Sequence, residues 1–317
     1  NENNNVIIKV INNEIPQTEQ NDFQLFNQHD LCCKLAWYKD ATQISGNRGY
    51  FLTGLGVLFN NALQSHALKF MINKGYDLIY TPHMMTNEAM SDICQLVDYE
   101  DTLYKIDSNN SFLIATSEQP MTAMFKSKKL HSLPIRMAGT STCYRKEAGS
   151  HGRDTRGIFR VHQFEKVEQF CVTHRDESWD EMKKMIDIAS EFYTSLGLTH
   201  RIVSIVSGAL NDAAAMKYDL EGLFKGSISE NGGNTDGTWR ELVSCTNATD
   251  FFSRKLYTKD KNGNLVHMLN STLYANTRTI GCILETYQDR DGVHIPSVLV
   301  PYFGSDFVRF VEPANHV

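Results

Sequence analysis

Apolar residues recur at the spacing of amphipathic helices in three segments of the chain. The first covers 57–71 and is followed by Gly75, the second covers about 177–196 and is followed by Gly197, and the third covers 277–288. Glycine adopts positive φ without strain, so it commonly follows the last residue of a helix. The pattern therefore predicts three helices, each long enough to cover part of a sheet.

Shorter apolar runs between these helices are typical of strands. They cover 78–82, 111–115, 200–206, 239–245 and 265–270, and a short helix is expected to begin near Ser117. Strands and helices that do not alternate regularly favour an α+β fold. We therefore expect a mixed, mostly antiparallel sheet flanked by helices.

The segment 141–170 predicts two further strands joined by a charged, glycine-rich loop. Because side chains on a strand alternate between faces, residues of equal parity should lie together. The residues expected on one face are Ile158, Arg160, His162, Phe164 and Glu168, with Phe159, Val161 and Val167 on the other; Arg145 and Glu147 share parity on the preceding strand. This face combines cations, a ring and carboxylates, although an ordinary hairpin with a solvated face has the same pattern.

The composition argues against some classes of protein. The 317 residues carry a formal net charge of −6, so any contact with RNA must come from a local basic patch such as the loop with Arg153 and Arg156. No apolar run approaches the roughly 20 residues that cross a bilayer, which argues against a membrane protein. Seven cysteines form no C-x-x-C pair, a usage that fits a reducing compartment.

Two polar stretches interrupt the regular pattern. Residues 1–20 are polar apart from 6–11 and fit either a loose lead-in or an edge strand. Residues 225–238 are rich in Gly, Asn and Ser and are expected between a helix and a strand. They lack the G-K-[ST] ending of a phosphate loop, which favours a surface insertion.

The string that begins Arg145-Lys146-Glu147 and continues as GSHGRDTRG and HQFEKVEQF resembles motif 2 of the class II aminoacyl-tRNA synthetases, and the seryl-tRNA synthetase family in particular. The resemblance runs from about residue 30 to the C-terminus. It implies the class II synthetase fold, with a lead-in at 1–30 and a catalytic domain at 31–317 that contains the insertion 225–238.

Further segments extend the resemblance. Residues 49–52 and 74–82 are similar to motif 1, which implies a homodimer, although plain helix–strand packing has the same pattern. Thr116-Ser117-Glu118 resembles the T-x-E element, which implies that Thr116 and Glu118 receive the amino group of serine. Without the family, Thr116 or Ser117 is simply a helix N-cap.

The segment 240–247 resembles the part of the family that holds Mg²⁺ beside ATP, through Glu241 and Ser244. Oxygen ligands suit magnesium. The two residues are three apart, so a regular strand places them on opposite faces, and joint coordination requires a bulge or the end of the strand. An exposed carboxylate and a turn serine remain the alternative.

The segment 270–279 resembles motif 3 and implies that Arg278 binds the γ-phosphate, which suits a cation at the head of a helix facing an anion; a surface helix arginine is the alternative. Asn270 and Thr272 would contact serine. Thr272 stands where a zinc-dependent branch would carry a cysteine, and no His/Cys cluster has zinc spacing, so we expect no zinc.

The resemblance implies that the protein condenses L-serine with ATP to seryl-adenylate and pyrophosphate, then transfers serine to the 3′ end of tRNA(Ser). It implies catalytic roles for Arg145 and Arg278, with Arg145 bridging the serine carboxylate and the α-phosphate. The remaining implied roles are adenine stacking for Phe164, adenine reading or loop orientation for Glu147, binding of the outer phosphates for Arg160, and binding of the serine hydroxyl for Glu168.

The tRNA-binding coiled-coil arm of the family has no counterpart here, since the chain contains no heptad pattern. A truncated or incompletely described protein is the favoured explanation. The alternatives are an armless paralogue that loads an amino acid onto a carrier protein and a non-catalytic binding relative. We expect a cytoplasmic enzyme, and an organellar form stays open.

Overall fold

The computed structural model describes residues 4–12, 23–94, 102–148, 156–226 and 237–311. Arg153 and most of the predicted insertion at 225–238 lie outside the described residues.

The α-helices, numbered in chain order, are α1 Gln28–Lys34, α2 Thr42–Ser45, α3 Leu55–Asn73, α4 Asn87–Ser91, α5 Glu118–Ala123, α6 Ser178–Ser195, α7 Phe251–Leu256, α8 Asn276–Tyr287 and α9 Val300–Phe303. The β-strands are β1 Val6–Ile11, β2 Tyr38–Asp40, β3 Tyr50–Leu52, β4 Asp77–Tyr80, β5 Met84–Thr86, β6 Lys105–Ile106, β7 Ser111–Leu113, β8 Lys129–Leu130, β9 Ile135–Tyr144, β10 Gln163–Thr173, β11 His200–Ser204, β12 Met216–Phe224, β13 Thr238–Asn247, β14 Lys259–Asp260, β15 His267–Ala275, β16 Gly292–His294 and β17 Phe307–Arg309.

The central element is a sheet whose described strands number eight, in the order β1-β11-β12-β13-β15-β10-β9-β4. The strand β4 runs parallel to β9, and the other neighbouring pairs of this sheet are antiparallel. The predicted α+β class with a mixed, mostly antiparallel sheet is therefore confirmed.

The helices α6 and α8 cover one side of this sheet. Met185 and Phe192 of α6 and Ile283 of α8 are completely buried, and fully burying such a side chain contributes roughly 1.5–3 kcal/mol. The hydroxyls of Tyr193 and Thr279 lie 3.1 Å apart and join the two helices. Both helices match the periodic segments of the sequence, so this half of the core was predicted correctly.

The helix α3 also forms where its apolar spacing predicts it, and Gly75 follows at a φ of +80°. Leu63, Ala67 and Met71 are buried against the core. Val57 and Leu58 at the start of the helix are 42% and 52% exposed. The helix therefore carries an apolar surface that the described chain does not cover.

A second apolar cluster holds the segment between β7 and α5 against the sheet. Met121 is completely buried, and the ring of Phe125 stacks on that of Phe170 from β10 at a centroid distance of 6.1 Å. This packing fixes the start of α5, and with it Thr116 and Glu118, beside β10.

A β-bulge at Leu242 changes the alternation of β13. Glu241 pairs with Glu221 of β12, whereas Val243 pairs with Leu220, so Leu242 has no opposite residue. A bulge shifts the alternation by one position. Glu241 and Ser244 consequently lie on the same face, which is the arrangement that their joint coordination of a metal ion requires.

A second register shift lies between β10 and β15. Val167 pairs with Tyr274 and Glu168 pairs with Thr272, so Leu273 is skipped. Directly opposite residues of an antiparallel pair point to the same face. The shift therefore places the side chains of Glu168 and Thr272 side by side.

The prediction that residues 225–238 follow a helix is wrong. The preceding element is β12, which pairs antiparallel with β13, so the segment connects two neighbouring strands. The run Met216–Phe224 has a buried but irregular pattern, and the charged Asp219 and Glu221 conceal its apolar face.

The N-terminal residues join the same sheet. Of the two readings left open, the structure shows the edge strand: β1 pairs antiparallel with β11. Farther along, the backbone N–H of Gln28 donates to Glu285 Oε1 at 2.7 Å, which ties α1 to α8. The division at residue 30 stays a prediction. None of the helices in the described ranges is long and apolar enough to cross a membrane.

Candidate active site

A cavity of about 270 Å³ lies over β10, β13 and β15, and the starts of α5 and α8 contribute to its wall. Every residue to which the resemblance gives a role in binding or catalysis lines it. These residues are Thr116, Glu118, Arg145, Glu147, Arg160, Phe164, Glu168, Glu241, Ser244, Asn270, Thr272 and Arg278. The first and the last of these residues are more than 160 positions apart in the sequence, and the pairing of the strands brings them together.

Glu168 lies at one end of this cavity and is completely buried. Thr272 Oγ1 donates to Glu168 Oε2 at 3.3 Å, and Asn270 Nδ2 donates to Glu168 Oε1 at 3.4 Å. Lys166 forms an ion pair with the same carboxylate. Three donors thus surround an acceptor that has no access to bulk water. We call Lys166, Glu168, Asn270 and Thr272 the Glu168 cluster.

Thr116 and Glu118 lie where the chain passes from β7 into α5. The backbone N–H of Glu118 donates to Thr116 Oγ1 at 3.3 Å. Ser117 occupies the N-cap position but makes no capping hydrogen bond, and its hydroxyl donates to Gly139 O at 3.3 Å instead. A purely capping role therefore fits Thr116 in part and does not fit Ser117.

Arg145 follows the end of β9. Its Nε donates to Ala115 O at 3.3 Å, and its guanidinium lies 5.2 Å from the centre of the Phe164 ring, a cation–π distance. His162 Nδ1 is 2.9 Å from Arg145 O, which fastens the backbone after the strand. The guanidinium is therefore held between a carbonyl and a ring before any substrate binds.

Glu147 and Arg160 form an ion pair at 2.8 Å across the mouth of the cavity. Glu147 has a φ of +53°, an uncommon conformation for a residue other than glycine. The pair bridges the two sides of the loop whose residues 149–155 are outside the described part of the chain.

The predicted alternation over 158–162 is wrong. The strand β10 begins at Gln163, so these residues precede it and follow no strand geometry. Ile158 is buried in the core, whereas Phe159 and Val161 line the cavity together with Arg160. From Gln163 onward the alternation holds, and Phe164 and Glu168 share the cavity face as predicted.

Phe159 is a cavity residue that the sequence reading placed on the other face. The guanidinium of Arg240 lies 3.5 Å from the centre of its ring, and that of Arg278 lies 5.0 Å from it. Arg278 Nη1 also donates to Glu241 O at 3.2 Å and lies 3.5 Å from Glu241 Oε2. Arg278 is thus oriented by a ring and a carboxylate, and its side chain is 22% exposed; its phosphate-binding role stays a prediction.

The other end of the cavity, which we call the acidic end, is lined by Glu241 and Ser244, and Asp219 lies beside them without lining the cavity. Ser244 pairs with Asp219 in the register between β12 and β13, so Asp219, Glu241 and Ser244 share a face. Burial, and then repulsion from Glu241, raises the pKa of Asp219 to about 7, although Lys217 at 3.2 Å partly offsets this. Loss of hydration opposes the charged form of Glu241, but Arg278 and then Lys217 outweigh this effect and lower the pKa of Glu241, whose side chain is still 44% exposed.

The acidic end fits a magnesium ion by its chemistry. Its donors are oxygens, and the buried Asp219 Oδ1 accepts no hydrogen bond from the described residues. Magnesium is usually bound by one or two carboxylates together with water and phosphate oxygens. Within the described ranges, no group of three or more His, Cys, Asp or Glu side chains could hold a metal ion, so a magnesium ion here would depend on water and phosphate oxygens for most of its ligands.

Sequence reasoning missed two charged residues of the site. Lys166 has the same parity as Phe164 and Glu168, so the alternation rule already placed it on the cavity face. Asp219 carried no comparable signal, because its strand was not predicted and its proximity to Glu241 depends on the bulge.

Comparison with known proteins identifies the class. Residues 103–287 match the family model of the tRNA synthetase class II core domain (G, H, P, S and T). The match covers more than half of the chain and includes both ends of the cavity.

Within this class the chain belongs to the serine–tRNA ligase family. It is 47% identical to "Serine--tRNA ligase, cytoplasmic" of Dictyostelium discoideum, over 99% of this chain and 69% of that protein. It is 46% identical to the protein of the same name from Arabidopsis thaliana, over 96% of this chain and 68% of that one. The chain thus spans about two thirds of the length of these relatives.

A solved structure agrees with this assignment. The cytoplasmic serine–tRNA ligase of Naegleria fowleri, solved in complex with AMP, superposes with a TM-score of 0.93 at 45% identity, covering 98% of this chain and 74% of that one. The predicted class II synthetase fold is therefore confirmed.

Proposed function

We propose that this chain is the catalytic part of a serine–tRNA ligase, which activates L-serine with ATP and then transfers the seryl group to the 3′ end of tRNA(Ser). The observation that carries the proposal is the buried carboxylate of Glu168, surrounded by donors, in the same cavity as Arg145 and Arg278. The relative from Naegleria fowleri was solved with AMP, which supports a nucleotide in this cavity.

Serine has three polar groups, and one end of the cavity offers a partner for each. Glu118 and the hydroxyl of Thr116 suit the ammonium group, Arg145 suits the carboxylate, and Glu168 suits the side-chain hydroxyl. Alanine and glycine are smaller than serine and cannot be excluded by size. A buried acceptor left unpaired by alanine can discriminate by roughly 10⁴ or more.

ATP occupies the remainder of the cavity in this proposal. Phe164 stacks against adenine on the ring face away from Arg145, and Glu147 orients the loop or contacts the adenine edge. Arg160 and Arg278 bind the outer phosphates. Glu241 and Ser244 hold Mg²⁺, which supplies positive charge beside the phosphates when it is bound.

The chemical step needs no nucleophile from the protein. The serine carboxylate attacks the α-phosphorus, the bond to the β-phosphate oxygen breaks, and pyrophosphate leaves. Negative charge accumulates on the phosphate oxygens as this happens. Arg145 contacts both reacting groups, and Arg278 neutralises charge on the leaving group, so both act in catalysis.

We expect the protein to work as a homodimer in the cytoplasm. The support for a dimer is the apolar surface at the start of α3 and its neighbours. Its exposed members are Phe51, Leu55, Val57, Leu58, Leu78 and Tyr80. Sedimentation analysis should show that Leu58→Glu lowers the dimer fraction, whereas Val10→Glu, at a residue of similar exposure on β1, does not.

The deciding experiment is ATP–pyrophosphate exchange with serine, glycine, alanine and threonine. We expect exchange with serine and exchange lower by at least about 10³ with alanine. Exchange with glycine or alanine but not with serine contradicts the proposal. Charging of tRNA by the full-length protein then separates a tRNA ligase from an enzyme that loads a carrier protein.

A further inference from the structure

Lys166 has no role in the proposed reaction, yet it forms an ion pair with Glu168. The two side chains are 7% and 0% exposed, and they stand two residues apart on the same face of β10. Removing a charge from water costs several kcal/mol unless a partner of opposite sign compensates it. A lysine at this depth therefore neutralises the carboxylate, while Thr272 and Asn270 contribute neutral donors.

In this arrangement, one oxygen of the Glu168 carboxylate accepts fewer hydrogen bonds than the other. Each carboxylate oxygen can accept about two hydrogen bonds. Oε2 is used by Lys166 and Thr272, whereas Oε1 receives one donor, Asn270, among the described residues. One acceptor position on Oε1 is therefore available to a ligand, in a carboxylate whose charge is already balanced.

We propose that Lys166 is a positioning residue that makes Glu168 selective for a hydroxyl over an ammonium group. This inference rests on the proposed function. The lysine charge balances Glu168 and repels a second cation, so a neutral hydroxyl can donate to Oε1 but an amine cannot bind there as an ion pair. By the same repulsion, Lys166 directs the α-ammonium of serine away from Glu168 and towards Glu118.

The proposal predicts a change of selectivity. Lys166→Met keeps a side chain of similar length and removes the charge. Serine KM should rise roughly 10-fold to 100-fold, the range for loss of a charged hydrogen-bond partner, with the KM for ATP within about threefold of the unchanged protein. Relative exchange with L-2,3-diaminopropionate, in which an amine replaces the serine hydroxyl, should increase by at least about tenfold.

A second background tests whether Lys166 acts through Glu168. In Glu168→Gln the buried negative charge is absent, so adding Lys166→Met should change serine KM by less than about threefold. Equal losses from Lys166→Met in both backgrounds overturn the inference. If the single Lys166→Met variant does not fold, Lys166→Gln, which also removes the charge but keeps an N–H donor for the carboxylate, takes its place in both backgrounds.

Two control variants distinguish a positioning role of Lys166 from a general loss of stability. Lys166→Arg retains the charge and should keep the preference for serine over diaminopropionate. Arg136→Met removes one of the two cationic partners of Glu181, another buried carboxylate, which does not line the cavity; Lys184 is the other. This variant should lower the melting temperature without changing serine KM. If the unchanged protein itself shows no serine-dependent exchange, the proposed function fails; if it does and the selectivity of Lys166→Met is unaltered, this inference alone fails.

Discussion

The two ends of the cavity each hold a buried or partly buried carboxylate. They differ in how many donors and cations contact the carboxylate oxygens. At one end, Glu168 is completely buried and paired with Lys166, and it also accepts hydrogen bonds from Thr272 and Asn270. At the other end, Glu241 is paired with Arg278 and Asp219 is paired with Lys217 through Oδ2, yet Asp219 Oδ1 is buried and receives no hydrogen bond from the described residues.

The difference shows what each end is suited to bind. A carboxylate balanced by a lysine presents an acceptor without excess charge, which suits a neutral hydroxyl. At the acidic end, burial, and then repulsion from Glu241, raises the pKa of Asp219 to about 7 although Lys217 partly offsets this, and Asp219 Oδ1 has no donor among the described residues; two neighbouring carboxylates with an unused oxygen suit a divalent cation. The neighbours of comparable side chains thus make them suited to different ligands.

The largest effect is expected from Arg278→Ala at the nucleotide end. Loss of a preorganised cation near developing phosphate charge should reduce exchange by roughly 10²–10³-fold, or about 3–4 kcal/mol, with little change in serine KM. Steady-state kinetics with either substrate varied would measure this. Arg254→Ala on the exposed side of α7 is the control, and a serine-specific defect in Arg278→Ala would contradict the separation of the two ends.

At the serine end, Glu168→Ala should raise the serine KM far more than the ATP KM. We expect roughly a 10-fold to 100-fold increase for serine, because the hydroxyl loses a charged acceptor, and less than about threefold for ATP. The same kinetic analysis measures both constants. Equal effects on both would show that the buried carboxylate supports the whole cavity rather than serine binding.

The acidic pair should make stability depend on pH. Because the folded pKa of Asp219 is about 7, above its ordinary value of 3.8, the folded protein binds more protons than the unfolded one between these values. Stability should therefore fall as pH rises from about 4 through 7. Asp219→Asn should remove this loss, which is at most about 4 kcal/mol above pH 7, since the shift is about three pKa units and one unit corresponds to about 1.4 kcal/mol.

Thermal unfolding at pH 5.5 and pH 8, with and without Mg²⁺, measures this effect. Magnesium should stabilise the unchanged protein more at pH 8 than at pH 5.5, and Asp219→Asn should reduce that difference. An identical magnesium response in both proteins at both pH values would argue against excess negative charge at this end.

The smallest effect is expected from Thr272→Val. The substitution preserves shape and removes one neutral donor to Glu168, which corresponds to about 1 kcal/mol and roughly a fivefold increase in serine KM. Thr279→Val, which removes a buried hydroxyl contact to Tyr193 outside the cavity, is the matched control for kinetics. An effect of Thr272→Val as large as that of Glu168→Ala would show that the hydroxyl, and not the carboxylate, is the main acceptor.

The sequence predicted the structure correctly where the spacing of neighbouring residues decides which element forms and which face a side chain occupies. Helical spacing located α3, α6 and α8, and glycine marked the ends of α3 and α6. Strand alternation placed Phe164 and Glu168 on one face. It failed at 158–162, because no local signal shows that β10 begins at Gln163.

Motif resemblance went further than alternation. It assigned roles to residues as distant as Thr116 and Arg278, and all of them line one cavity. Their individual roles stay predictions, since proximity to a cavity does not establish which substrate atom each one contacts.

The sequence by itself determined the three long helices, the fold class, the family motifs and the chemical types available to the site. The tertiary structure alone decided how those groups combine. The bulge at Leu242 turns Glu241 and Ser244 to one face, and the skipped Leu273 sets Thr272 beside Glu168. Periodicity and the pairing of Lys166 with Glu168 depend on neighbours along the chain, whereas register depends on neighbouring strands, and register alone brings Thr272 to Glu168 and Asp219 to the face of Glu241.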